Sequence, residues 1–316
     1  MRIIDDIFQL QGENNDLCVA IGAFDGIHEG HKNVIEAAIK RAKKIGGKSV
    51  VFTFEEHPKS FMGHKKTPKL INSKEEKIYL LKKLGVDCII FQKFDKHFSS
   101  LTPLEFLNLL KDIKTKEIFV GFNFRFGAGG AATVDDMIEM GETCGISVNK
   151  INPVTSEKVV VSSTLIRDLI KNGDLDRVKK LLGYNLFMIG EVAHGKKYGR
   201  KMGFPTANLK LIDKIYPPFG IYGAKVKIEG YKKIYDGVVN IGRNPTLKDG
   251  ELSVEVHILD FSDYIYGKKV IVKLIKHLRE EKKFNSIDEL KCAIANDVLI
   301  WREEIKKLKN NSETIL

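Results

Sequence analysis

Gly22–His31 reads GAFDGIHEGH, and these ten residues decide how the first half of the chain folds. Ahead of them runs Leu17–Ile21, apolar throughout, which suits a buried strand. Behind them, from Lys32, the residues Val34, Ile35, Ala38, Ile39 and Ala42 recur on one helical stripe. The stretch is therefore a strand–loop–helix junction holding three glycines and two histidines. Glycine lets a backbone turn sharply and approach a ligand closely. A helix start presents unpaired N–H groups and the positive end of a dipole, a seat for phosphate. His28 and His31, three apart, can point the same way and donate to one oxyanion.

The same alternation continues outward. Ser49–Phe54, Cys88–Phe91, Glu117–Val120 and Ser147–Ile151 read as strands. Between them, Ser73–Leu84, Thr102–Asp112 and Thr133–Cys144 read as helices. Ser73 with Glu76, and Thr102 with Glu105, have capping-box spacing; Pro103 sits at a first helical position, and Gly85 and Gly145 mark stops. This rhythm predicts an α/β domain with a doubly wound parallel sheet, ligands sitting beyond the carboxyl ends of its strands.

Composition sets the frame. The 316 residues suffice for two domains, with 43% hydrophobic and 29% charged residues, as in ordinary soluble proteins. No secretory signal or membrane-length apolar run is visible, and the chain is expected to be cytoplasmic. Cys18, Cys88, Cys144 and Cys292 are scattered without zinc-ligand spacing, so reduced thiols are expected rather than a structural metal. The net charge is +11. Residues 1–184 carry 28 Lys and Arg against 24 Asp and Glu, and residues 185–316 carry 24 against 17. The lysines spread along helices instead of massing in one arm, which favours nucleotide ligands over nucleic acid.

Two further stretches fall where ligands would sit. In VGFNFRFGAGG (Val120–Gly130), read as an extended segment, Asn123 and Arg125 alternate with Phe122, Phe124 and Phe126 and face a ligand while the rings face the core. Gly127, Gly129 and Ala132 fit a dinucleotide fingerprint only nominally, with no acidic residue about 20 positions on. In VVVSSTLIRDLI (Val159–Ile170), Ser162 or Ser163 can cap a helix, and Ser163, Thr164 and Arg167 can form a second phosphate seat.

The H-x-G-H element of the opening loop resembles the signature of the nucleotidyltransferase superfamily, in which the histidine pair steadies a triphosphate. Taken in order, GAFDGIHEGH, GFNFRFG and SSTLIR resemble the adenylyltransferase half of the bacterial bifunctional riboflavin kinase/FAD synthetase family. The resemblance covers nearly all of residues 1–184 and implies nucleotide contacts from Gly22, Phe24, Asp25, Gly26, Gly30, Asn123, Ser163, Thr164 and Arg167. Where the family favours Pro-His-Pro, this chain has Glu56-His57-Pro58, and no role carries over to His57.

Beyond a boundary near Tyr184 the pattern changes. Phe187–Ala193, Tyr222–Ile228, Ile234–Ile241, Ser253–Leu259 and Lys269–Lys276 read as short strands separated by turn signals, predicting an antiparallel sandwich or barrel. Ser286–Lys309 reads as a closing amphipathic helix carrying the single Trp, Trp301. HGKKYGRKMGFPTANL (His194–Leu209) concentrates the chemistry. Gly195, Gly199 and Gly203 make a supple loop charged by Lys196, Lys197, Arg200 and Lys201. Thr206 and Asn208 share one face of an extended segment and offer hard oxygens suited to Mg²⁺ on phosphates. Glu255 and His257 share a strand face that composition alone reads as solvated.

These segments, with YDGVVNIGRNPT (Tyr235–Thr246), VEVHILDF and LREEKKF (Leu278–Phe284), resemble the riboflavin kinase domain. The resemblance implies a six-stranded antiparallel barrel with Glu255 as base. It also implies Thr206 and Asn208 on Mg²⁺ and phosphate, Gly195, Gly199 and Arg200 on the nucleotide, and Arg279 and Phe284 on the flavin side. The expectation is thus a two-domain enzyme, residues 1–184 and 185–316. Using ATP, it converts riboflavin to FMN and FMN to FAD, with riboflavin, FMN and ATP as its small-molecule partners. No nucleic-acid or membrane partner is expected, and a homo-oligomer is left open. The competing readings are loss of one activity, or a basic nucleic-acid-binding barrel.

Overall fold

The computed structural model describes residues 1–12, 15–56, 67–194, 199, 203–243 and 252–310. They form two compact units, residues 1–166 with 181–183, and residues 167–180 with 184–316.

The first unit is built on six parallel strands. These are β1 (Arg2–Ile4), β2 (Leu17–Ile21), β3 (Lys48–Phe54), β4 (Cys88–Gln92), β5 (Thr115–Gly121) and β6 (Ser147–Ile151), in the spatial order β1-β4-β3-β2-β5-β6. Every residue of β2 is buried, as expected for a central parallel strand covered on both faces. Helix α1 (Glu29–Ile45) packs over β2, β3 and β5. The other face carries Val19, Ile21, Val50, Phe52 and Val120 against Phe106, Leu107, Val134 and Met137. Those four side chains come from two further helices, Pro103–Asp112 and Val134–Cys144. The helices start where the caps predict. Ser73, Thr102 and Thr133 each accept from the third helical N–H, and the acidic residue there reaches back to the cap.

The order reverses at β2: the chain leaves it through α1 toward β3 on one side, while β5 lies on the other. The loops after β2 and β5 therefore flank the crevice where such sheets bind ligands. Strand β1 and the hairpin β7 (Thr155–Ser156) with β8 (Val159–Val160) are not expected from the sequence. The extended reading of Val120–Phe126 is corrected. Strand β5 stops at Gly121, Phe124 N–H donates to the Gly121 carbonyl at 3.0 Å, and Phe122 is 39% exposed. Arg125 binds its own loop through the carbonyls of Gly130 and Ala131.

The second unit carries a closed antiparallel barrel of β9 (Phe187–Ala193), β10 (Ala207–Leu209), β11 (Gly220–Ile228), β12 (Ile234–Arg243), β13 (Leu252–Ile258) and β14 (Lys269–Arg279). Around the barrel the order is β10-β13-β12-β11-β14-β9, closed by β9 with β10. Val226, Val239, Ile241, Val254, Val256, Val272 and Leu274 fill its interior. The closing helix, Ile287–Asn310, lays Trp301 and Ile305 over Ile221 and Val238 on the outside. Gly223 makes room: a Cβ there would stand 2.2 Å from the Trp301 ring.

Candidate functional sites

In the first unit the loop after β2 is tightly organised. His28 is the N-cap of α1, its Nδ1 accepting from the His31 N–H at 3.3 Å. A histidine does here what Ser or Asp usually does. Because Nδ1 accepts, the proton of the neutral ring resides on Nε2. The two imidazoles stack with centroids 3.6 Å apart, and Phe24 meets His31 edge-on at 5.4 Å. Burial drives the His28 pKa down to about 4, against an opposing pull from Asp25. At neutral pH His28 is therefore an uncharged donor.

Gly30 lies within the helix, and its need for no side chain is steric: a Cβ there would sit 3.2 Å from the His28 ring. Gly26 is required conformationally, with φ 91°. Phe24 and Ile27 also take positive φ, 43° and 32°, while nearly fully buried. Such strain is held only where the surroundings over-determine it. The restraints are visible. Asp25 accepts from the N–H groups of Ile71 and Asn72, so its carboxylate braces the loop. Lys77, 1% exposed, donates to the carbonyls of Ala23 and Phe54, and Thr53 Oγ1 adds a second bond to the Ala23 carbonyl. Ser163 Oγ donates to the Asp25 carbonyl at 2.7 Å, which joins the start of the helix Ser163–Lys171 to this loop.

Ser162, not Ser163, accepts from a helical N–H, that of Leu165. Thr164 is exposed, Arg167 is buried one turn on, and Asn123 is exposed in the turn after β5. Gly22 leaves space that the Phe24 ring approaches. No local signal marks Lys77, because a lysine beside glutamates in a helix reads as surface.

In the second unit, Thr206 Oγ1 donates to Glu255 Oε2 at 3.2 Å. Asn208 on β10 and Asn240 on β12 are the register partners of Glu255 on its two sides, so the three polar side chains form one row across the outer barrel face. His257 Nδ1 donates to the Pro205 carbonyl at 2.9 Å and Phe204 meets its ring, holding the segment that carries Thr206. Gly199 lies against it: a Cβ would stand 2.4 Å from the Phe204 carbonyl and 3.3 Å from Thr206 Oγ1. A cavity of about 280 Å³ opens beside Thr206, lined also by Val192, Phe261, Asp263, Tyr264 and Tyr266.

Arg279 forms a bidentate pair with buried Asp297 of the closing helix at 2.7 and 2.8 Å, and its guanidinium lies 5.8 Å from the Phe284 ring centre. Gly195, Arg200 and His57 lie outside the described residues. Among the described residues no cluster of His, Cys, Asp and Glu could hold a metal by itself.

Comparison with known proteins identifies the family. The FAD synthetase family model matches residues 10–165, and the riboflavin kinase family model matches residues 182–305. The bifunctional riboflavin kinase/FMN adenylyltransferase of Escherichia coli K12 is 34% identical, over 96% of this chain and 97% of its own. That of Bacillus subtilis 168 is 36% identical, over 88% and 89%. A crystal structure described as a macrolide-efflux protein from Streptococcus pneumoniae superposes with TM-score 0.81 at 34% identity, over 95% of this chain and 98% of that one. Among the described residues no helix is long and apolar enough to cross a membrane. With both family models matching in order and full-length relatives above 30% identity, the chain belongs to the bifunctional riboflavin kinase/FMN adenylyltransferase family.

Proposed function

We infer that the chain makes FMN from riboflavin and ATP in its barrel, and FAD from FMN and a second ATP at the crevice of its parallel sheet. Residues 185–316 form the kinase domain and residues 1–184 the adenylyltransferase domain. The observation that carries the reading is the coexistence of two unrelated phosphate-handling arrangements. One is a stacked histidine pair at a helix start, its His28 kept uncharged by burial. The other is a glutamate hydrogen-bonded to Thr206 with Asn208 beside it.

In the kinase step Glu255 takes the proton of the terminal ribityl hydroxyl. Its oxygen then bonds to the γ-phosphorus as the β–γ bridge breaks and ADP leaves. Thr206 donates a hydrogen bond to Glu255 and so keeps its lone pairs for other partners, and the Asn208 side chain adds a carbonyl oxygen. Neutral hard oxygens of this kind suit Mg²⁺ that is held mainly by substrate phosphates. The ion would neutralise charge on those phosphates. The cavity beside Thr206 takes the nucleoside of ATP, with Gly195, Gly199 and Arg200 on its phosphates. Arg279, held by Asp297, and Phe284 flank the flavin.

In the second step the FMN phosphate attacks the α-phosphorus of ATP and pyrophosphate leaves. His28 Nε2–H and His31 donate to the charge that builds on the phosphates, with the start of the helix at Ser163, Thr164 and Arg167 as the second anchor. Gly22, Gly26 and Gly30 allow close approach of the nucleotide, Phe24 and Asp25 hold the loop in shape, and Asn123 orients the substrate. The test is incubation with riboflavin, ATP and Mg²⁺ followed by chromatography of the flavins. Glu255→Ala should abolish FMN formation and leave FMN-to-FAD conversion intact, and His28→Ala with His31→Ala should do the reverse. Absence of both flavin products from the unaltered protein would refute the reading.

A further inference from the structure

Asn240 stands directly opposite Glu255 in the β12–β13 ladder, on the side away from Asn208. Its neighbours along the strand, Val239 and Ile241, are fully buried in the barrel interior, as are Val254 and Val256 beside Glu255. Alternation therefore puts the Asn240 and Glu255 side chains together on the outer face. Asn240 Oδ1 is buried and has no hydrogen-bond partner among the described residues. A buried, unpaired carbonyl oxygen is unfavourable to maintain, and a strand position offers many apolar alternatives. An oxygen of this kind next to a catalytic carboxylate points to a partner that arrives with the substrate.

We propose that Asn240 is a specificity-determining residue of the kinase site, its Oδ1 accepting a hydrogen bond from the substrate hydroxyl adjacent to the one that Glu255 deprotonates. Directly opposed residues in an antiparallel pair hold their Cβ atoms about 5 Å apart. Two side chains ending in oxygen at that spacing can bracket hydroxyls on neighbouring carbons of a polyol chain. Glu255, already hydrogen-bonded to Thr206, takes the reacting hydroxyl. Asn240 is neutral and hydrogen-bonds without competing for the proton. Phosphorylation is thereby directed to the end of a polyhydroxylated chain, and a simple primary alcohol is discriminated against because it leaves Oδ1 unpaired. The inference rests on the kinase reading of the barrel.

The test compares riboflavin with its 4′-deoxy analogue, which keeps the terminal hydroxyl and lacks the adjacent one. The unaltered protein should lose about tenfold to a hundredfold in kcat/KM on the analogue, the scale of one substrate hydrogen bond. Asn240→Ala should lose a similar factor on riboflavin and show almost no further preference between the two substrates. FMN-to-FAD conversion by the same preparation should be unchanged, which certifies the protein. Equal use of both substrates by the unaltered protein overturns the proposal, even if the variant does not fold. So does an Asn240→Ala protein that keeps the full preference for riboflavin. Failure of the unaltered protein to phosphorylate riboflavin at all would instead refute the kinase reading.

Discussion

His28 ties the chemistry proposed for the first unit to its stability, and replacing it by asparagine separates the two. Asparagine is a good N-cap, so His28→Asn keeps an acceptor for the start of α1 and removes the titration. In the folded protein the His28 pKa is lowered to about 4 by burial, against 6.5 when exposed. Between these values the unfolded chain binds a proton that the folded chain refuses. Stability is therefore complete above pH 6.5 and falls as the pH drops toward 4. At about 1.4 kcal/mol per pH unit, the full span corresponds to ~3 kcal/mol, of which ~2 kcal/mol is already lost at pH 5.

The assay must report on the first unit, and Trp301, the single tryptophan, lies in the second. Hydrogen exchange of peptides from residues 29–45 across a urea series supplies the local reading. With an m-value of about 2 kcal/mol/M, the midpoint gap between the unaltered protein and His28→Asn should change by about 1 M urea between pH 7 and pH 5, in favour of the variant. A gap that stays constant over that range would refute the buried, neutral histidine. It would also remove the argument that His28 acts as an uncharged donor at physiological pH.

Two further substitutions probe the second unit. Asp297→Asn breaks the bidentate pair with Arg279 while Asp297 is 2% exposed. It should lower the stability of the barrel by about 3 kcal/mol and raise the riboflavin KM more than it lowers kcat, because Arg279 and Phe284 lose their anchor; a change under about 0.5 kcal/mol, read from Trp301 fluorescence in urea, would mean the pair is not formed in solution. Gly223→Ala sets a methyl group into the Trp301 ring and should destabilise the same unit by about 2 kcal/mol or more, leaving FMN-to-FAD conversion intact; a neutral result would place the closing helix elsewhere.

The parts of the molecule legible in the sequence are those whose physics is local. Parallel strands buried on both faces must be apolar runs, and β2 and β4 are wholly buried. Capping boxes at Ser73 and Thr102 announce their helices within a few residues. The elements missed lack such signals. The β7–β8 hairpin turns through Glu157 and Lys158, both at positive φ, where Asn-Gly would have been recognised. Strand β1 is a three-residue edge with only Ile4 buried. Strand β10, also three residues long, completes the barrel from a segment legible only as extended.

The sites divide along the same line. His28, His31, Thr206 and Glu255 stand out because each combines a reactive group with a loop or strand position that presents it. What holds them in place is long-range. Asp25 braces a loop 46 residues away, Lys77 donates 54 residues back, and Arg279 grips a carboxylate 18 residues on, in the closing helix. Asn240 shows the same limit from the other side. Its strand reads as one more alternating run, and only register sets it against Glu255. Sequence patterns thus identify candidate groups when those groups are chemically unusual, and pass over neutral amides that are set beside them solely by register across a sheet. The barrel face proposed for the kinase step shows that distinction most clearly, since a single row of Asn208, Glu255 and Asn240 holds one amide marked by its local motif and one revealed only by register, with the proposed base between them.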